Sequence, residues 1–257
     1  MTLNKSLAMA AAVTVAVVTI LPAPASAADA GVESPTDHAA VVGHWGIGYL
    51  GSSQVSVLSG RPDESDPFPL ASVDLHTLGV RYWMSSRIGL ELGAAVGAGL
   101  ASNSTTTGNT TKTEDSPGYM GFEVQAGLPI LLTESQHLAF NVAPFVSYRR
   151  ASSNLTVTTD GAAVGTKVTD QTLQAGANLT AEWQFGFIGL PELGLQASIG
   201  AQVVRHVATV SLSLNDTVVS ELSSSTTRLG TSVGPGADVA GQLTGHLAAI
   251  WYFGAGH

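Results

Sequence analysis

Alternation of apolar and polar residues constrains this chain more than any other feature, and it is clearest near the C-terminus. From Ala237 to Phe253 the odd positions are apolar or glycine, whereas the even positions are largely polar or small. A β-strand directs successive side chains to opposite faces, so this segment presents one apolar face and one mixed face. The pattern predicts a strand that separates two different environments.

The same alternation recurs along the chain and gives eight candidate strands in all. They begin near residues 45, 73, 88, 122, 138, 173, 193 and 237. The first two, Trp45–Val57 and Val73–Met84, are the least regular. In the second of these the phase of the alternation slips around Thr77, which predicts a β-bulge there.

Long and short connections alternate between these segments. The short ones cover residues 85–86, 133–137 and 186–192, and the long polar ones cover 59–69, 102–117, 152–170 and 215–235. Seven connections join eight antiparallel strands, so both termini fall at the short-turn end. Alternating Thr and Val in Leu155–Thr159 and Val207–Leu214 further predict that strands continue into the long loops.

The charge content indicates which environment the apolar faces meet. Only 11% of the residues are charged, against about 25% in ordinary soluble domains. A soluble lipocalin-like barrel needs a charged exterior, whereas a membrane barrel needs an apolar one. We therefore predict an all-β fold, an antiparallel up-and-down transmembrane β-barrel of eight strands. The net charge of −9 and the lack of a basic cluster argue against nucleic acid as a partner.

The N-terminus has the layout of a secretory signal peptide. Lys5 precedes an uncharged apolar run that ends at Leu21, and Ala25-Ser26-Ala27 predicts cleavage before Ala28. The run is shorter than the roughly 20 residues of a transmembrane helix. The predicted organisation is a signal peptide at 1–27, a short flexible N-terminal segment at 28–42, the barrel at 43–253 and a tail at 254–257. Export and barrel together predict the outer membrane of a Gram-negative-type bacterium.

Aromatic residues cluster near the predicted strand ends. Those at the short-turn end are Trp45, Tyr49, Tyr82, Trp83, Trp183, Phe185, Trp251 and Phe253, and those near the other end are Tyr119, Phe122 and Tyr148. Two such bands are typical of the two membrane interfaces of a barrel. We assign Trp45, Tyr82, Trp183 and Trp251 to the aromatic girdle.

Ionisable residues on the predicted inner face define the candidate site. They are Arg81, Glu91, Glu123, Arg149, Glu182 and Asp238. Buried charges are costly unless they are paired, and an eight-stranded barrel is only wide enough for side chains to fill it. We therefore predict a polar network that fills the lumen. The alternative is a polar path that conducts small solutes.

Few residues suggest catalysis. His206 lies near Ser211 and Ser213 in the sequence, and His246 lies on the inner face of the last strand, but no Gly-x-Ser-x-Gly elbow is present. The seven histidines lack the close spacing of a zinc site, and the chain has no cysteine. We expect no enzyme, no catalytic residue, no metal and no cofactor.

In these patterns the chain resembles the small outer-membrane β-barrel family, of which the membrane domain of outer membrane protein A is a familiar member. The resemblance covers residues 43–253 and is sharpest in the last strand, where Leu247, Ala249, Trp251 and Phe253 fill alternate positions. It implies that Trp251 and Phe253 belong to a C-terminal assembly signal. The chain departs from the family pattern in the four residues that follow Phe253.

The sequence favours a structural or interaction role for this barrel, with long outer loops available for recognition. The runner-up is a small, weakly conducting porin, and a lipid-modifying outer-membrane enzyme ranks third. The expected partners are outer-membrane lipids, the barrel assembly machinery and an extracellular ligand that binds through the long loops.

Overall fold

The structure is a computed structural model that describes residues 36–58, 70–99, 102–107, 110–115, 118–159, 162–214, 217–232 and 246–254. It contains one α-helix, α1 (Asp37–Val41), and the strands β1 (Trp45–Leu58), β2 (Leu70–Trp83), β3 (Gly89–Gly99), β4 (Ser102–Thr107), β5 (Thr110–Asp115), β6 (Gly118–Gly127), β7 (Ile130–Glu134), β8 (Leu138–Thr159), β9 (Ala162–Phe185), β10 (Leu190–Leu214), β11 (Thr217–Ser232) and β12 (His246–Tyr252). A 3-10 turn covers Gly186–Ile188. In these ranges no helix is long and apolar enough to cross a membrane.

Eight strands pair in a closed antiparallel ring, as the sequence predicts. The order around the ring is β1, β2, β3, β6, β8, β9, β10 and β12, and β12 closes it by pairing with β1. At the closing seam Tyr49 lies opposite Ala249, and Ile47 lies opposite Trp251. The short-turn end holds the start of β1 and the end of β12, so both ends of the barrel sequence lie on the same side.

Two of the strands in the ring are interrupted. β7 continues the path of β6 beyond Leu128 and Pro129, where proline supplies no N–H for the strand ladder. β11 and β12 both pair with the same edge of β10, β11 with residues 200–214 and β12 with residues 193–198. β4 and β5 form a separate two-stranded hairpin between β3 and β6.

The predicted bulge lies in a different strand from the one expected. β2 keeps a strict alternation, with Leu75, Thr77 and Arg81 buried. The register shift instead lies in β1 between Tyr49 and Gly51, directly opposite Leu78 and Thr77. Gly51 has a φ of 124°, which a residue with a side chain rarely adopts.

The outer surface carries a continuous apolar band, which we call the apolar belt. It consists of outward-facing residues on β3 (88–98), β6–β7 (120–132), β8 (138–148), β9 (173–183) and β10 (193–203), with shorter runs at 45–49 on β1 and 78–82 on β2. The run on β10 spans 11 residues, and a tilted strand needs about 9–11 residues to cross a bilayer.

Beyond the belt, on the side of the long loops, the two faces of the strands exchange character. We call this region the outer extension. On β8 the outward residues become Arg150 and Asn154, while Ala151 and Leu155 are buried inside. On β9, likewise, the charged residue Lys167 faces outward and the apolar residue Val168 is buried inside. Strands β8 and β10 run on to Thr159 and Leu214, which confirms that the strands continue into the predicted loops.

Candidate functional site in the barrel interior

One arginine organises the inner half of the lumen. Arg81, on β2, donates from Nη1 to Glu182 Oε2 on β9 at 2.9 Å. Its Nε donates to Glu91 Oε2 on β3 at 3.0 Å, and its Nη2 forms a second bond to the same oxygen. Both Arg81 and Glu182 are almost completely buried. One guanidinium therefore joins carboxylates from two other strands across the interior.

Uncharged side chains satisfy the remaining positions of this cluster. Gln196, on β10, accepts from Arg81 Nη2 at 3.0 Å and donates to Glu182 Oε2 at 3.2 Å. The hydroxyl of Tyr252 donates to Glu182 Oε1 at 3.0 Å and accepts from Trp83 Nε1 at 3.2 Å. We call these six residues, Arg81, Trp83, Glu91, Glu182, Gln196 and Tyr252, the arginine network. It links five strands of the ring.

A second polar cluster lies nearer the outer extension. Ser53 donates from its hydroxyl to Glu123 Oε2, and Glu123 lies opposite Arg149 in the pairing of β6 with β8. All three side chains are buried. Close by, Ser147 donates to Gln174 Oε1 at 3.2 Å, which adds a hydrogen bond between β8 and β9 at this level.

The interior closes at the outer end through apolar contact. Val55, Val57, Leu75, Ala95 and Ala151 form one buried cluster contributed by β1, β2, β3 and β8. The backbone amide of Ser56 on β1 donates to Asp170 Oδ2 on β9 at 3.3 Å, so opposite walls of the ring meet there. Apolar packing and this contact between β1 and β9 fill part of the interior at this level.

Asp170 lies outside the belt and also contacts His206 Nε2 through Oδ1, at 3.1 Å. Burial opposes ionisation of the Asp170 carboxyl. The hydrogen bond and charge of His206, together with the Ser56 amide, nevertheless hold its pKa below the usual value. Asp170 is therefore an ionised anchor between β9, β10 and β1.

Helix α1 closes the opposite end. Its N-cap residue Thr36 accepts a bond from the Ala39 amide at 3.1 Å, and Val41 packs in a buried cluster with Leu50, Trp83, Ile250 and Tyr252. The helix therefore packs against the buried side chains at the short-turn end of the barrel. This differs from the predicted flexible segment at 28–42, because residues 37–42 are structured and packed.

Three different turns hold α1 in place. Asp37 Oδ2 lies 2.7 Å from His137 Nδ1 and accepts from the Gly186 amide at 3.0 Å. His38 Nε2 lies 3.0 Å from the carbonyl oxygen of Ser86 and its ring stands edge-on to Trp83. A Cβ at position 186 would collide with the Asp37 carboxylate, so any other residue there would displace Asp37 from its present contacts.

A cavity of about 40 Å³ lies beside the arginine network and is lined by Gln125, Asn178, Thr180 and Ser198 among others. A single water occupies at least about 10–15 Å³ on this measure. This cavity therefore has room for a few waters and for nothing larger.

The structure distributes the predicted lumen residues over two clusters. Arg81, Glu91 and Glu182 meet in the arginine network, and Glu123 lies opposite Arg149 in the second cluster. Asp238 lies outside the described residues. Sequence reasoning missed the roles of Gln196, Ser53 and Tyr252, although each lies at a position of inward parity.

The aromatic assignments separate into two groups. Trp45, Trp183, Trp251 and Phe253 are exposed on the outer surface at the short-turn end, and Tyr82 stacks against Trp45 with ring centroids 4.7 Å apart. Trp83 is different, because it is completely buried in the interior and donates to Tyr252. Its grouping with the outer aromatics was wrong, since the strict alternation of β2 directs it inward.

The histidine–serine combinations do not assemble. Ser211 and Ser213 lie five and seven residues beyond His206 on the same strand, at about 3.3 Å per residue, and are therefore about 16 and 23 Å away. His206 instead pairs with Asp170. Among the described residues no group of three or more His, Cys, Asp or Glu side chains is close enough to bind a metal ion.

Comparisons with known proteins add little. No family model matches the chain, and no curated protein matches it. Crystal structures of Acinetobacter baumannii CarO2 and CarO are 12% and 7% identical to it. They match 82% and 80% of this chain and 98% and 94% of their own chains, with TM-scores of 0.29 and 0.25. Values this low carry no argument, so the barrel rests on its own strand pairing, and the resemblance to outer membrane protein A stays a prediction.

Proposed function

We propose that this protein is an integral outer-membrane β-barrel with a closed lumen, and that it acts through the surface it displays outside the membrane. The apolar belt is the evidence for a bilayer location. An exterior of this kind is stable in lipid, and the apolar run of 11 residues on β10 has the length that crossing requires. Export by the N-terminal signal peptide belongs to the same proposal.

The arginine network is the observation that carries the closed lumen. Arg81 reaches from β2 to Glu182 on β9 and to Gln196 on β10, so its side chain occupies the middle of the ring. An ion passing this level would have to displace a buried ion pair, which costs several kcal/mol. Helix α1 and the apolar cluster around Val55 close the two ends.

A weakly conducting pore is the competing function. The observation in its favour is the polar lining of the central cavity, where Gln125, Asn178 and Thr180 would solvate a small ion. Conduction through this path would require the arginine network to rearrange. It would also require the closures at the two ends, by helix α1 and by the apolar cluster around Val55, to open.

Recording currents across planar bilayers separates the two functions. We expect the purified protein to insert without reproducible unitary currents. A triple variant, Arg81→Ala with Glu91→Ala and Glu182→Ala, removes all the charges of the arginine network without leaving a lone carboxylate. With the tightest barrier gone, it should show currents above those of the natural chain, which shows that insertion is detectable. Heat-modifiable gel migration checks that both proteins form barrels. Discrete, reproducible channels in the unmodified protein would overturn the closed-lumen proposal.

The membrane location has its own test. Membrane fractionation should recover the protein with the outer membrane, resistant to alkaline extraction. Recovery as a soluble periplasmic protein would contradict the proposal. The predicted roles of Trp251 and Phe253 in assembly are tested by Phe253→Ala, which should reduce the amount of barrel inserted by the assembly machinery and leave the stability of barrels that do insert largely unchanged.

A further inference from the structure

Two buried amide side chains beside the central cavity each have an oxygen without a partner. Gln125 on β6 and Asn178 on β9 are each 7% exposed. Among the described residues, neither Gln125 Oε1 nor Asn178 Oδ1 accepts a hydrogen bond. Both side chains line the cavity of about 40 Å³ next to the arginine network. Buried acceptors are almost always satisfied in folded proteins, so this pair indicates a ligand that binds to oxygen atoms.

The rest of the cavity wall adds hydroxyl groups. Thr180 and Ser198 lie in the same wall as the two amides. Every residue that lines the cavity belongs to the described part of the chain. Amide and hydroxyl oxygens are hard donors, which suit alkali and alkaline-earth cations better than transition metals.

The arginine network beside the cavity has an excess of negative charge. Arg81 carries its positive charge, and Glu91 and Glu182 carry two negative charges, which leaves a net charge of −1. The other members of the network are uncharged and do not alter this balance. Because an unbalanced charge is costly to bury, we expect a counter-ion close to these side chains.

The geometry of Glu91 brings this charge to the cavity. Arg81 donates to Glu91 Oε2 from both Nε and Nη2. The other oxygen, Oε1, lies 3.8 Å from the point that a Cβ on Gly127 would occupy. Glu91 and Gly127 both line the cavity. Glu91 can therefore offer Oε1 to a ligand in the cavity while Oε2 stays bonded to Arg81.

We propose that this cavity binds one monovalent metal cation, Na⁺ or K⁺, through Gln125 Oε1, Asn178 Oδ1 and Glu91 Oε1. The single charge of the ion balances the net charge of the arginine network. Its coordination satisfies both amide oxygens that the protein itself leaves without a partner. One ligand thus accounts for two independent features of the interior.

Charge and size favour a monovalent ion with few waters. A divalent ion would reverse the net charge and would call for further carboxylates. Glu182 is not free to supply one, because its oxygens accept from Arg81, Gln196 and Tyr252. The cavity of about 40 Å³ has room for a few waters at most, so a fully hydrated ion does not fit. The site belongs to the interior of the ring and does not depend on the membrane location.

The dependence of stability on the cation tests the site. The protein is refolded in detergent, and its urea midpoint is measured by tryptophan fluorescence in NaCl, KCl or N-methylglucamine chloride at equal ionic strength. The organic cation is too large for the cavity and controls for screening. We expect the midpoint to rise and then saturate with Na⁺ or K⁺, as for a ligand that binds only the folded state. Equal midpoints in the three salts would overturn the proposal.

A charge exchange identifies the residues involved. Glu91→Gln keeps the shape of the side chain and removes the excess charge, and it should weaken the apparent affinity for the cation by about tenfold or more. Asn178→Asp added to this variant returns a negative charge to the cavity and should restore the affinity. Glu221→Gln, exposed on β11, is the matched control and should change nothing. Full cation dependence in Glu91→Gln, in protein with heat-modifiable migration, would contradict the assigned site.

Thallium(I) locates the ion directly, because it resembles K⁺ in size and scatters X-rays strongly. In crystals grown with Tl⁺ we expect an anomalous peak within coordination distance of Gln125 Oε1 and Asn178 Oδ1. A cavity that holds only water in such crystals would refute the proposal. Discrete channels in planar bilayers, together with a Tl⁺ peak in the cavity, would instead count against the closed lumen and leave the cation site in place.

Discussion

The belt and the outer extension of this barrel are built from the same strands with opposite inside-out chemistry. On β9, Leu179 faces outward and Asn178 inward within the belt, whereas Thr169 faces outward and Val168 inward beyond it. The alternation of the strand is the same in both places. In the proposed membrane location, the belt faces lipid and the extension faces water. The apolar side chains then lie on the outside of the belt and on the inside of the extension, away from water in both places.

The two regions also close their interiors by different forces. Within the belt the interior is held by charge pairing around Arg81, which is favourable only as long as every member is present. In the extension it is held by packing of Val55, Leu75 and Ala151. The charged cluster depends on a particular arrangement of its side chains, whereas the apolar cluster tolerates the exchange of one apolar side chain for another of similar volume.

The largest expected effect comes from Arg81→Ala. The variant leaves Glu91 and Glu182 without their shared cation, and we expect the free energy of unfolding to fall by about 3–5 kcal/mol. Urea unfolding in lipid vesicles, followed by tryptophan fluorescence, measures it. Arg150→Ala, on the outer surface of the extension, is the control and should change stability by less than about 0.5 kcal/mol. Equal losses of stability in the two variants would contradict the claim that charge pairing around Arg81 holds the interior of the belt.

Two leucines on β2 test the exchange of faces directly. Leu75 is 1% exposed in the extension, and Leu78, three residues further on, is 62% exposed on the belt. We expect Leu75→Ala to cost about 2–5 kcal/mol through a cavity in the apolar cluster. Leu78→Ala should cost less than about 1 kcal/mol, because lipid replaces the lost contacts. The opposite order in the same unfolding assay would show that the two faces are assigned wrongly.

Lysine substitutions sharpen the border between the two regions. Leu179→Lys places a charge in the middle of the belt on β9 and should destabilise the barrel by about 2–4 kcal/mol. Thr169→Lys, ten residues away on the same face, lies in the extension and should be nearly neutral. Both are measured as the urea midpoint of the folded band in gel migration. Similar midpoints would place residue 179 in water or residue 169 in lipid.

The smallest effect is a dependence on pH in the extension. Because the pKa of Asp170 is lowered in the folded protein, its stabilising contribution is complete above the unfolded value of about 3.9. It is lost as the pH falls through the lower folded value. Unfolding midpoints between pH 6 and about pH 3 should therefore decline less for Asp170→Asn than for the natural chain. Parallel declines would contradict this account of Asp170.

Much of the fold could be predicted from the sequence because the alternation persists through both regions. The eight strands, their antiparallel order and the inward parity of Arg81, Glu123 and Glu182 all follow from it. The bulge could not be placed in the same way. Val73 and Leu75 point to the inside of the barrel and Leu78 points to the outside, because apolar residues change faces between the extension and the belt. In the sequence this change of face gives the same pattern as a bulge that shifts the alternation by one residue.

Other features depend on contacts that no local pattern reveals. Helix α1 is only five residues long, and it is held by turns that follow it by about 50 to 150 positions. Gln196 and Tyr252 join the arginine network through strand register, which is set by the whole ring.

Helix α1 has a consequence for the order in which the molecule is completed. Asp37 and His38 are made before any strand, yet their partners are Ser86, His137 and Gly186, in turns that exist only after β2, β7 and β9 are in place. The helix precedes every strand in the chain, yet it can make these contacts only after the three turns have formed. Its protection from a protease would report that the entire ring had formed, which makes the N-terminus a natural indicator of finished assembly.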